Sequence, residues 1–239
     1  MELPNLPPTA RETLDNVVSE LREKLGDNLY SCILYGSAVR GNFVDGVSDL
    51  NLLIILNAST PPAHREIAGI LRRKTKIAPF VISRIGMERS FEAFAIKFCS
   101  IRRHYRVLHG EDPLRDLKID EKLLHFLTEQ ALRNLRLRVV RAHIALSQDR
   151  PRYLEYLIQI VPQVFTDITT ALRVRGITVE ESFAGRVSLL TEHLGDSALV
   201  LKDLLALREK RVMLSDGELF QLHSKLFTLL DRTIAWLSE

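Results

Sequence analysis

The spacing of apolar positions changes character midway along this chain. Leu14, Val17, Val18, Leu21 and Leu25 recur at three- and four-residue intervals, which predicts an amphipathic helix that stops at Gly26. Thr9 followed by Glu12 has the form of a capping box at its start. Tyr30 to Tyr35 then reads as a strand running into Gly36-Ser37. After a Gly- and Asp-rich loop, Asp49 to Leu56 is aliphatic on both faces beyond its first residues, the pattern of a central strand covered on both sides. Thr60 and Pro61 open a further helix, whose inward stripe is Ala63, Ile67, Ile70 and Leu71. Ala78 to Ser83 predicts a third strand, and Phe91, Phe94 and Phe98 mark another helix. His109 to Pro113 is a turn cluster, and a domain boundary is expected near Lys118.

Beyond that point the pattern is helical throughout. Leu132, Leu135, Val139, Ala142 and Leu146 form the seam of a helical bundle. Pro151 is expected to end that helix, and Pro162 to kink or interrupt the next. Ser215 with Glu218 forms a second capping box before a last helix carrying Phe220, Leu226, Leu229, Leu230 and Trp236. Four or five helices fit in this half. The expected fold class is therefore α+β: a domain over 1–118 with a mixed sheet and flanking helices, then an all-α bundle over 119–239.

Composition narrows the picture. Of 239 residues, 46% are hydrophobic and 26% charged, as in ordinary globular proteins, which excludes a disordered or fibrous chain. Two cysteines, Cys32 and Cys99, exclude a disulfide scaffold or a cysteine zinc cluster. The aliphatic run Leu52 to Leu56 is far shorter than the roughly 20 residues that cross a bilayer. Residues Met1 to Pro8 show neither a basic nor an apolar leader region, so the expected compartment is the cytoplasm. The net charge of +3 does not indicate nucleic acid. The small excess lies in the first half, at Arg72, Arg73, Lys74 and Lys76 and at Arg102, Arg103 and Arg106, and reads as solvated helix ends.

The segment that carries chemistry is Leu34-Tyr35-Gly36-Ser37-Ala38-Val39-Arg40-Gly41, an eleven-residue spacer after Ser37, and Asp49-Leu50-Asn51. A strand ending in Gly-Ser, a spacer of this length and an acid-x-polar pair leading into aliphatic residues resemble the polymerase-beta-like nucleotidyltransferase superfamily, in its minimal and aminoglycoside-modifying branch. The resemblance covers about residues 10–118. It implies a nucleotide site in which Gly36 lets backbone N–H groups approach a phosphate, because no Cβ intervenes. The Ser37 hydroxyl donates to a phosphate oxygen, and Arg40 is either a phosphate contact or an ordinary exposed arginine. It further implies two carboxylates at i and i+2 on one strand face, holding two Mg²⁺ ions around the triphosphate, with a third carboxylate on the neighbouring strand.

This sequence supplies the first carboxylate, Asp49, as the expected metal ligand and catalytic residue. At the second position it has Asn51, whose neutral amide does not bridge two divalent cations as a carboxylate does. The expected third strand, Ala78 to Ser83, holds no acid, and the nearest, Glu88 and Glu92, fall beyond it. The expectation is a nucleotide-binding protein in a groove between the two domains, using NTP and Mg²⁺, whose transferase activity is weak or lost. It would serve as a pseudoenzyme, a regulator or partner-binding module, with a protein partner or as a homodimer. The alternative is an active enzyme that moves a nucleoside monophosphate to a small-molecule or protein hydroxyl with Asp49 and one Mg²⁺. A third reading comes from Arg138 with His143 and Arg186 with His193, spacings that resemble HEPN ribonucleases, although Val139 and Val187 stand where that pattern has a polar residue. His104, His109 and His125 show no paired metal-ligand spacing.

Overall fold

The computed structural model of the chain describes residues 6–41, 43, 45, 48–72, 76–180, 182–210 and 214–239, with Lys210 in main chain only. Arg73, Lys74, the leader-region reading of residues 1–5 and part of the Gly-rich spacer lie outside them. The chain divides into two compact units, Met1–Ile119 and Asp120–Glu239.

The first unit is built on a four-stranded mixed sheet. Its strands are β1 (Leu29–Tyr35), β2 (Leu50–Leu56), β3 (Ile77–Ser83) and β4 (Tyr105–Gly110), in the order β3-β2-β1-β4. β1 is antiparallel to both β2 and β4, and β2 is parallel to β3. The aliphatic run thus lies in a central strand, as its pattern predicts. Alternate residues feed two cores. Leu50, Leu52, Ile54 and Leu56 pack with α1 (Pro8–Leu25) and α3 (Pro61–Leu71). Leu53 and Ile55 pack with Met87 of α4 (Arg84–Ser90) and with Phe98 and Ile101 of α5 (Ala95–Arg103). Both layers are needed because a strand apolar on both faces must be covered on both. α2 (Ser37–Arg40) is one short turn at the end of β1.

Several local expectations need correction. α1 starts at Pro8 with Pro7 at its N-cap and no capping side chain, so Thr9 lies inside the helix and the expected capping box does not form. Proline pre-set at the helical φ opens the helix instead. The phenylalanine helix is two helices: Phe91 and Phe94 sit in the turn between α4 and α5, and only Phe98 is on a helix, with the Phe91 ring edge-on to it. His109 and Gly110 belong to β4, a strand the sequence reading missed.

The second unit has five α-helices among its described residues: α6 (Glu121–Leu146), α7 (Arg150–Val174), α8 (Phe183–Leu194), α9 (Val200–Lys210) and α10 (Asp216–Ser238). The expected seam of α6 is buried at Leu132, Leu135, Val139 and Ala142. Pro151 is not the terminator of α6, which already ends at Leu146. It stands in the first turn of α7, where its missing N–H has no intrahelical acceptor to lose. α7 runs through Pro162 without interruption, and the Pro162 carbonyl accepts the Thr166 hydroxyl at 2.9 Å. The Ser215–Glu218 capping box forms as read. No helix among the described residues is long and apolar enough to cross a membrane.

Candidate functional site

The site is built at the end of β1. Gly36 ends that strand at φ 84°, a conformation strained for any residue with a Cβ. Its carbonyl accepts the N–H groups of Val39 and Arg40, which turns the chain into α2. A Cβ at Gly36 would stand 3.0 Å from Nδ2 of Asn51. The glycine is therefore required by its own backbone and by the approach of a neighbouring side chain. Ser37 begins α2 half-buried, and Arg40, its last residue, is exposed.

Register places Tyr35, the last residue of β1, directly opposite Asn51 on β2, and Asn51 opposite Ala78 on β3. β2 begins at Leu50, so Asp49 stands exposed one residue before the ladder rather than inside the strand. Asn51 donates from Nδ2 to the Asp49 carbonyl at 3.3 Å. The structure thus brings together Gly36, Asn51 and the Asp49 main chain, three of the sequence-predicted positions. In the spacer, Asp45 pairs with Lys76 at 3.0 Å, which ties the loop to the start of β3 and gives that member of the expected basic cluster a partner.

The strand that would carry a third acid offers Ala78, Phe80 and Ile82 on the Asn51 side. Glu88 lies on α4, paired with Arg84 at 3.4 Å, and Glu92 is exposed in the following turn. Among the described residues no group of three or more His, Cys, Asp or Glu could hold a metal ion. One carboxylate with phosphate oxygens fits a single Mg²⁺ carried in on a nucleotide, since that ion keeps several waters and needs only one or two protein carboxylates. The donor set does not fit a protein-held pair of ions.

One charged group was not legible in the sequence. Lys97 on α5 lies with Nζ 5.6 Å from the Tyr35 ring centre and 5.2 Å from that of Phe80. Burial by its surroundings lowers its pKa from the ordinary lysine value. Burial likewise pushes the Tyr35 phenol up to about 12, so it stays protonated at neutral pH. No sequence motif marks Lys97; only the packing of α5 across the sheet brings it here. Cys32, on β1 of the same sheet, is free and buried, and burial pushes its thiol up to about 12, which leaves it inert.

In the helical unit the ribonuclease-like pairs are engaged elsewhere. His143 stacks on His223 of α10 at 3.9 Å, while Arg138 is exposed. Arg186 lies over Phe165 and His193 beside Trp236. His125 sits half-buried on α6.

No protein-family profile matches the chain, and no curated protein matches it in sequence. Among solved structures it is similar to the crystal structure of spectinomycin adenyltransferase AAD(9) from Enterococcus faecialis with ATP and spectinomycin. The identity is 12% and the TM-score 0.51, over 92% of this chain and 99% of that one. At that identity the likeness is one of fold: this chain has a nucleotidyltransferase-like fold.

Proposed function

We propose that this protein binds a nucleoside triphosphate at the Gly36–Asn51 junction and transfers nucleotide very slowly or not at all. Residues 1–118 would be the nucleotidyltransferase-like domain and 119–239 the accompanying helical bundle. Gly36, Ser37 and Arg40 are assigned to the phosphates and Asp49 to a single Mg²⁺. The observation that carries this reading is Asn51 held against Gly36 by its amide, with an acid-free β3 beside it. In phosphoryl transfer, attacking and leaving oxygens gather negative charge, and paired metal ions offset it. A site with one carboxylate cannot hold that pair. Binding therefore survives where turnover does not, which suits a regulator or a module that docks a protein partner or a second copy.

The test is calorimetric titration with the four NTPs, with and without Mg²⁺, beside a labelled-NTP transfer assay on a panel of aminoglycosides and on the protein itself. Binding without transfer is expected. Turnover that disappears in Asp49→Ala would overturn the impaired-enzyme reading. That outcome would establish the second one, an enzyme moving a nucleoside monophosphate to a hydroxyl with Asp49 and one Mg²⁺. The second reading is favoured by the likeness to an adenyltransferase whose structure was solved with ATP and an antibiotic.

A further inference from the structure

A positive charge lies over the sheet face from which acids are missing. Lys97 extends from α5 across Tyr35 and Phe80. Tyr35 immediately precedes Gly36 and is paired with Asn51; Phe80 is in register with Leu53. The ammonium thus lies over the sheet face that Leu53, Ile55, Tyr35 and Phe80 share, the face on which Asn51 also falls by alternation, and one of its two rings belongs to the residue before the Gly36 turn. Two aromatic faces hold it there by cation–π attraction. Among the described residues no carboxylate pairs with Lys97, in contrast to Arg84 with Glu88 and Lys76 with Asp45 nearby. The residue remains open to solvent and so to a ligand.

We propose that Lys97 binds the phosphates of the nucleotide directly, as the cation that takes over the charge-neutralising part of a second metal ion. This rests on the nucleotide-binding reading above and adds to it a binding residue and a metal requirement. The charges agree. A second divalent ion beside Asn51 would meet one fixed carboxylate, Asp49, and would be repelled by the ammonium. A triphosphate in the same place meets attraction without needing that ion. Lysine serves as a compact point charge toward phosphate. Partial removal of water from the ammonium, which lowers its pKa, strengthens its pull on an anion. Nucleotide then binds whether or not Mg²⁺ is present, and the site is one for retention of the triphosphate rather than its cleavage.

The experiment titrates ATP, and separately inorganic tripolyphosphate, into the whole protein in excess EDTA and in excess Mg²⁺, for the parent, Lys97→Met and Lys97→Arg. Met keeps an unbranched stem over the two rings while removing the charge, and a thermal unfolding midpoint close to the parent's confirms the fold. The expected result is parent affinity in EDTA within about threefold of that in Mg²⁺, at least about tenfold weaker binding of both probes to Lys97→Met, and recovery in Lys97→Arg. Parent binding that vanishes in EDTA, or Lys97→Met binding as tightly as the parent, overturns the proposal and leaves the nucleotide reading standing. A parent that binds neither probe in either condition removes both.

Discussion

Gly36 and Asn51 hold each other in place: the strand-ending glycine turns at positive φ, and the asparagine amide occupies the space a Cβ would need, 3.0 Å away. The glycine is thereby a structural requirement of the β1–α2 corner as well as the expected approach path for a phosphate. Gly36→Ala should destabilise the first unit by roughly 1–3 kcal/mol, the cost of forcing a side chain into a sparsely populated backbone region. Urea denaturation checks this, and a midpoint equal to the parent's would show that the turn relaxes freely.

Asn51→Asp restores a carboxylate at the second position of the pair. It also removes the amide that donates to the Asp49 carbonyl and sets a negative charge beside that oxygen. The variant should be less stable without metal, by about 0.5–1.5 kcal/mol for the lost donor. It should bind Mg²⁺ more tightly when nucleotide is present, yet gain little transfer activity while β3 still lacks an acid. Mg²⁺ titration at saturating ATP, read beside a transfer assay, separates the two effects. Full turnover in this variant would mean that a third acid is not needed.

Leu53 is fully buried in the central strand, on the face shared with Phe98 and Ile101. Leu53→Ala should cost about 2–5 kcal/mol, the range for emptying a packed aliphatic site. The denaturation midpoint tests it.

A buried acid and a half-buried histidine in the helical unit give opposing pH dependences. Burial raises Asp167 to about 6, against the lowering effects of a hydrogen bond from Gln163 and the nearby Arg138. Its folded state binds the proton more tightly than the unfolded chain, so its ionisation cost is absent at low pH and grows as pH rises from about 4 to about 6. Burial, helped by His143, lowers His223 to about 4. Its contribution is present above the unfolded value and is lost as pH falls from about 6.5 toward 4. Between about 4 and 6 the two slopes oppose. Asp167→Asn, which keeps an acceptor for Gln163, should raise stability at pH 7 by about 3 kcal/mol and expose a steeper loss on acidification. Unfolding midpoints at pH 4.5, 5.5 and 7 measure it. A pH profile left unchanged by Asp167→Asn would mean that Asp167 is not as enclosed as its burial implies.

Much of the fold was legible because its signals are local. The aliphatic run of β2, the Thr60 and Ser215 caps, the α6 seam and the Gly36-Ser37 strand end each depend on residues a few positions apart, where side-chain period and backbone preference act directly. The same segment carried the family resemblance and its departure at Asn51. Tertiary structure decided what depends on distant segments meeting. β4 mixes Arg106 and His109 with Tyr105 and Val107 and becomes a strand by pairing along β1 at a sheet edge. Phe91 and Phe94 fall into a turn because Phe91 packs edge-on against Phe98 instead of extending one helix. Above all, Lys97 comes to lie over Tyr35 and Phe80 from a helix whose own sequence is unremarkable, since the position of its charge is set by two rings on strands β1 and β3. Periodicity reports which face of an element is apolar; which charge stands over that face is settled only when the elements pack.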